Sequence, residues 1–377
     1  MSPSKWLRVV FLPFAVTRGA LLVVGVLALG LMGSVRERMP GNLVAHDSRP
    51  LPLEIWARWD SEWYLYIAEK GYVFTDPLSR YSGRYVAADT AGFFPLYPLL
   101  IRSFSALGLD AVLAGVLISN LSLLGALTLL HRLVADRFSE AAANASLWAV
   151  LGFPTSLFLS AVYSESLFLA LLLGCFLAAR RGRWGAVLVL GFLCALCRPA
   201  GFLVAAPLVW EVLERHAGWR GWGSLAGFPA GLGSFSFYCA RTFGDPLAWA
   251  HRQARWRGEW SGPWRAFQRF FEQPPQLHGT HNSMLELVAA LLFLLTLPFL
   301  FRRFPRSWTT HALLSVLVPL GSTLWSFGRL SLAAFPVYVL AGETFRRRPA
   351  FQLAYLGICL PLSGLLMAMF ACGWWVG

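Results

Sequence analysis

The sequence predicts an all-helical, polytopic integral membrane protein, and three observations carry that prediction. Hydrophobic residues make up 57% of the 377 and charged residues 14%, with a mean hydropathy of +0.57, whereas a soluble domain is about 25% charged. Apolar runs recur along the chain, most of roughly 18 to 23 residues and so able to cross a hydrocarbon core of about 30 Å as a helix, with several shorter. The basic residues, laid against those runs, gather in short connections on one side.

Taken in order, the runs fall at about 14–35, 110–131, 141–159, 163–179, 184–197, 200–213, 223–241, 284–301, 308–325, 329–344 and 350–372, which makes eleven spans in a single transmembrane domain over 1–377. The first has basic flanks and no small-residue cleavage site before a soluble remainder, so it reads as a retained helix. Proline interrupts several others, at Phe153-Pro154, Arg198-Pro199 and Phe335-Pro336. Lys5, Arg8, Arg132, Arg137, Arg180, Arg181, Arg183, Arg215, Arg220, Arg302, Arg303, Arg306 and Arg346 to Arg348 all fall on one side. The bias of basic residues toward the cytoplasm places that side, and the N-terminus, inside. The formal charge of +13 is then accounted for by topology, and no nucleic-acid partner is expected. The six cysteines lie in or beside apolar runs and form no metal-ligand cluster with histidines.

Two outer connections are long enough to expect a function of them. The first spans about 36–109 and holds eight of the nineteen acidic residues: Glu37, Asp47, Glu54, Asp60, Glu62, Glu69, Asp76 and Asp89. The second spans about 242–283 and is basic and aromatic, with His251, His278, His281, Trp249, Trp256, Trp260 and Trp264. Asp110, Glu165, Arg198, Glu286 and Arg329 stand at the outer ends of their spans. Charge at the rim rather than at mid-bilayer points to a site at the outer membrane surface, reached by a lipid from the side and by a second reactant from water. A lipid or solute transporter would place coupling residues at mid-span.

From Trp56 to Tyr72 the chain reads WARWDSEWYLYIAEKGY. The spacing predicts an amphipathic helix over Arg58 to Lys70 that ends at Gly71, with Asp60, Tyr64 and Ile67 on one face and Trp59, Trp63 and Tyr66 on an aromatic one. Composition alone leaves two readings open: an anchor helix lying at the membrane interface, or a helix presenting a carboxylate as a general base.

The same residues carry a resemblance. Arg58-Trp59-Asp60 with Glu62, Ile67-Ala68-Glu69, Gly71-Tyr72 and Phe93-Phe94-Pro95 with Pro98 resemble the first-loop signature of the PIG-V type mannosyltransferases. Ser160 to Phe168 resembles the family's tyrosine-serine-glutamate segment, Arg198 with Gly201 its arginine and glycine segment, and Ser326 to Arg329 with Phe335-Pro336 its late arginine motif. These four blocks keep their order over about 56–340. Trp63 stands where the family usually shows histidine, and no glutamate follows Gly71-Tyr72 closely, Asp76 being the nearest acid.

The resemblance implies a GT-C type glycosyltransferase, in which an enzyme takes a sugar from a polyprenyl-phosphate carrier at the non-cytoplasmic face and uses a first-loop aspartate as base. Carried over by position, Asp60 is that base. Arg198 and Arg329, with Arg58 and Arg102 behind them, are the expected ligands of the donor phosphate, since a guanidinium binds phosphate bidentately. Glu62, Tyr64, Tyr163, Glu165, His251 and Trp256 are expected to contact sugar or acceptor, with Glu165 alternatively holding an arginine. The second long connection would form a cleft or lid. The partners implied are a polyprenyl-phosphate-sugar donor and a glycan or glycolipid acceptor. No cofactor is expected, and no metal either, since the Asp-x-Asp motif of sugar-nucleotide enzymes is missing. A transporter and a non-catalytic relative that binds polyprenyl lipid are the alternatives. Arginine in preference to lysine favours a bacterial or archaeal cell membrane; in a eukaryote the site would face the lumen of the endoplasmic reticulum.

Overall fold

A computed structural model describes residues 2–33, 50–72, 87–279 and 281–377 of the chain. Glu37, Asp47 and Asp76 lie outside the described residues. Helices account for nearly all of the regular structure, and the described residues contain no strand beyond an isolated bridge between Gln276 and Ser283. Four helical segments are long and apolar enough to cross a membrane: Pro3–Met32, Ala111–Ala135, Met284–Arg303 and Pro349–Ala371. The other sequence-predicted spans coincide with shorter or interrupted helices. Many large side chains on the long segments face outward, among them Leu292, Leu295, Phe301, Leu353 and Ile358, as lipid contact requires.

The helices that position the site are α1 (Leu12–Met32), α2 (Asp60–Lys70), α3 (Leu96–Ala106), α4 (Ala111–Ala135), α5 (Glu140–Leu151), α6 (Glu165–Arg180), α7 (Trp184–Cys197), α8 (Gly227–Phe243), α9 (Ala248–Arg257), α10 (Met284–Arg303), α11 (Arg306–Leu320), α12 (Phe335–Arg347) and α13 (Pro349–Ala371). α6 lies at the centre, packed on α4 and α7, with α8 beyond α7, α12 on α5 and α1 on α13. Small residues let the backbones come close: a Cβ at Gly342 of α12 would strike Ser146 of α5, and one at Gly231 of α8 would strike the Phe192 carbonyl of α7. Such contacts drive helix association where no water is expelled.

Proline supplies the main irregularity. α5 stops at Gly152, ahead of Phe153 and Pro154, and a 3-10 turn, Pro154–Leu159, follows. A carbonyl freed at such a break must find a donor when no water is present. Arg18 of α1 provides it, with Nη1 donating to the Ser156 carbonyl at 2.7 Å and Nη2 to the Leu151 carbonyl at 3.1 Å. This arginine is buried and closes a backbone defect, a structural duty.

The two ends of the bundle differ in chemistry. Lys5 pairs with Glu140, Arg181 with Asp136, and Ser307 donates to Glu211, all at the arginine-rich end. Glu165 opens α6 and Arg180 closes it, so the acidic and arginine residues of interest stand about 24 Å from that end at 1.5 Å per residue.

Candidate active site at one end of the bundle

α2 is short and begins at Asp60, because Trp59 takes a left-handed backbone conformation (φ 58°) that a helix cannot include. An L-residue pays about 1 to 2 kcal/mol there, and strain of this kind collects at functional sites. Tyr163 pins the bend: its hydroxyl donates to the Arg58 carbonyl at 3.0 Å and accepts from the Asp60 amide at 3.2 Å. Asp60 is thereby fixed at a helix N-terminus, where the aligned peptide dipoles favour a carboxylate.

Arg329 arrives from the far end of the sequence on a turn that also follows a positive-φ residue, Ser326 at φ 63°. Glu286, in the first turn of α10, fixes this turn by accepting the Gly328 amide at 2.6 Å, and Thr155 donates to the Gly328 carbonyl at 2.9 Å. Arg329 Nη1 meets Asp60 Oδ2 at 2.5 Å. Its Nε lies 3.6 Å from Glu165 Oε1, and the same oxygen meets Arg198 Nη1 at 2.6 Å. The result is a relay Asp60–Arg329–Glu165–Arg198 whose charges alternate and sum to zero. Its members come from positions up to 269 residues apart. The Arg329 guanidinium is boxed by the rings of Phe158, Tyr163 and Trp375 at 5.5, 5.4 and 5.0 Å. Glu165 and Arg329 are 4% and 10% exposed, Arg198 16% and Asp60 29%, so the relay is most open at the aspartate.

α9 packs on the 3-10 segment Ala87–Gly92. Arg252 and Arg255 both reach Asp89 Oδ1 at 3.2 Å, Gln253 donates to the Gly92 carbonyl at 2.9 Å, and Trp256 lies over Gly92, where a side chain would collide with its ring. Trp256 also packs against Trp63 and Phe93. The two long connections are therefore joined to each other. Beyond α9, His278 hydrogen-bonds the Trp375 carbonyl at 3.0 Å and His281 bonds Thr323 at 2.7 Å. Burial pushes both imidazoles below their usual range.

Of the residues singled out in the sequence, Asp60, Tyr163, Glu165, Arg198 and Arg329 converge. Tyr64 sits one contact away, its hydroxyl 2.9 Å from Ser164 and its ring edge-on to Tyr163. Others do not converge. Arg58 is buried and holds α13, donating to the Ala371 carbonyl at 3.1 Å and pairing with Glu54. Arg102 is exposed and reaches only the Glu69 carbonyl, at 3.4 Å. His251 is exposed on Asp245 at 2.7 Å. Trp256 takes part in the loop closure, outside the relay. The interfacial reading of α2 is corrected: Glu62, Trp63, Tyr64 and Ile67 are all buried by protein, because α3, α4 and the aromatic residues of 93–97 cover faces that composition would assign to lipid and water. Glu62, expected to contact sugar or acceptor, is 1% exposed. Sequence reasoning passed over Trp375 and did not separate Arg257 from the other arginines of its loop. Among the described residues no group of three or more His, Cys, Asp or Glu side chains could hold a metal ion.

Membrane-crossing helices with a charge-balanced ion-pair relay and a partly exposed carboxylate at one end of the bundle define an integral membrane protein with a candidate site there. Residues 36–216 match the family model described as Mannosyltransferase (PIG-V). That match, just short of half the chain, bears out the resemblance carried by the first three sequence blocks and supports the PIG-V type mannosyltransferase family, with a mannosyltransferase activity in general. The fourth block, at Ser326 to Arg329, lies beyond the matched residues. No curated protein matches the chain.

Proposed function

We propose that the chain is an inverting mannosyltransferase of GT-C type, moving mannose from polyprenyl-phosphate-mannose to a hydroxyl of a lipid-linked or other extracytoplasmic glycan. The observation that carries the reading is the relay itself: the one carboxylate with an open side, Asp60, is held by Arg329 at the centre of an arginine cluster. In the reaction the acceptor oxygen attacks the anomeric carbon from the face opposite the phosphate. The acceptor O–H proton passes to Asp60, the new C–O bond forms, and the bond from the anomeric carbon to the phosphate oxygen breaks with its electron pair leaving on polyprenyl phosphate. Cationic donors fixed in advance stabilise that growing charge without reorganisation, and Arg329 and Arg198 supply positive potential from within the relay. Tyr163 and Glu165 set the geometry, and the joined outer connections exclude water above it. The eleven-span topology, with N-terminus and basic connections cytoplasmic, puts this end outside, in a bacterial or archaeal cell membrane.

The test is incubation of purified protein with polyprenyl-phosphate-mannose and membrane lipid extracts, followed by mass analysis. A hexose gain of one unit on an extract component is expected. No gain on any acceptor, beside an active control enzyme, would refute the transferase reading.

A further inference from the structure

The relay leaves the donor phosphate without an obvious holder, since Arg329 and Arg198 already spend their charge on Asp60 and Glu165. A different guanidinium has donors to spare. Arg257, the last residue of α9, gives Nη1 to the Trp325 carbonyl at 2.8 Å, while its Nη2 is buried with no hydrogen-bond partner among the described residues. No carboxylate pairs with it among the described residues. Two further buried donors without partners adjoin it, the indole N–H groups of Trp325 and Trp375, whose rings meet edge to face at 6.2 Å. Trp375 is the ring that covers Arg329 at 5.0 Å, so these donors border the relay. Arg269 caps the same end of α9, donating to the Arg257 carbonyl at 2.8 Å, and brings a further positive charge. Burial and the nearby Arg329 guanidinium pull the Arg257 pKa down to about 10, so it stays charged at neutral pH but is poorly compensated.

Buried donors left unpaired are costly, and a cluster of them calls for an acceptor that arrives from outside. We infer that Arg257, with the indole N–H groups of Trp325 and Trp375, anchors the phosphate of the lipid donor. Arg329 and Arg198 are then positioning residues that fix Asp60 and Glu165. The inference rests on the polyprenyl-phosphate reading and assigns its anion subsite to the second long connection, through α9. Because α9 is tied to Asp89 of the first, seating the phosphate also consolidates the cover over Asp60.

The test uses the full chain in nanodiscs of neutral lipid and measures equilibrium binding of radiolabelled polyprenyl monophosphate, with neutral polyprenol as the comparison. Wild type should prefer the phosphate, and R257Q should weaken its binding roughly 10- to 100-fold, the value of a charge-assisted hydrogen bond, while leaving polyprenol binding alone. R257K, which keeps the charge, should recover part of that loss, and W375F, which keeps a ring, should lose a few-fold. R257Q binding like wild type, or R257K as impaired as R257Q, overturns the assignment. So does equal competition by phosphatidylglycerol, which would mark a general site for phospholipid headgroups. If R257Q binds normally while wild type transfers hexose, this inference alone fails. If wild type shows neither phosphate preference nor transfer, the functional reading falls and this inference falls with it.

Discussion

Replacing Glu165 by glutamine removes one charge from the middle of the relay and leaves its shape intact. Glu165 Oε1 faces Arg198 at 2.6 Å and Arg329 at 3.6 Å and is 4% exposed, so E165Q leaves two largely buried guanidinium groups with Asp60 as the remaining ion-pair partner among the described residues. A unit pair about 4 Å apart is worth about 4 kcal/mol at an effective dielectric constant of 20, and removing one partner of a buried pair typically costs about 3 to 5 kcal/mol. The partial exposure of Arg198, 16%, argues for the lower part of that range. E165Q is therefore expected to lose about 3 kcal/mol of stability. The assay is denaturation in mixed micelles followed by tryptophan fluorescence, with wild type and E165Q titrated side by side. A loss below about 1 kcal/mol would mean that water screens the cluster as it does a surface pair, and the argument for a preorganised relay would fail. Turnover abolished at unchanged stability would instead assign Glu165 to substrate contact.

Three further outcomes follow from the geometry. Arg102 is exposed and apart from the relay, so R102Q should leave transfer within about twofold of wild type, and a tenfold loss by the same hexose assay would restore it to the site. His278 and His281 have depressed pKa values in the fold, so the unfolded chain binds more protons over the interval below the free imidazole value of about 6.5. Their contribution to stability is complete above that value and declines as pH falls through the interval toward the lowered folded values; H278Q should shrink the drop in unfolding midpoint between about pH 7.5 and 5.5, and an unchanged drop would contradict it. Treatment with a chelator should leave transfer unaltered, and loss with recovery on adding manganese would show a metal dependence.

The helices were legible because apolar runs and proline breaks are local facts, and all eleven predicted runs coincide with helical segments. Asp60, Glu165, Arg198 and Arg329 could be named from sequence, but their linkage through alternating ion pairs could not, since nothing in spacing joins residue 60 to residue 329. The burial of α2 was hidden for a physical reason: a helix bearing tryptophan, tyrosine and carboxylates has the same composition whether lipid, water or protein covers it. Arg18 went unremarked because its partners are carbonyls released by a proline more than a hundred residues away. Trp375 stands after the last predicted span with no motif around it, and only the fold brings it over Arg329. Arg257 was one arginine among five in its loop until the fold paired Arg252 and Arg255 with Asp89 and Arg265 with Glu272.

The central claim is that Asp60 takes the acceptor proton, and Asp60→Asn tests it most directly. Asparagine can still accept from Arg329, and position 60 is 29% exposed, so the fold should tolerate the change far better than E165Q. Steady-state hexose transfer by D60N should fall at least about 10²-fold in kcat, the usual contribution of a general base, with donor binding and unfolding midpoint close to wild type. D60N protein that transfers hexose within tenfold of the wild-type rate would contradict the account.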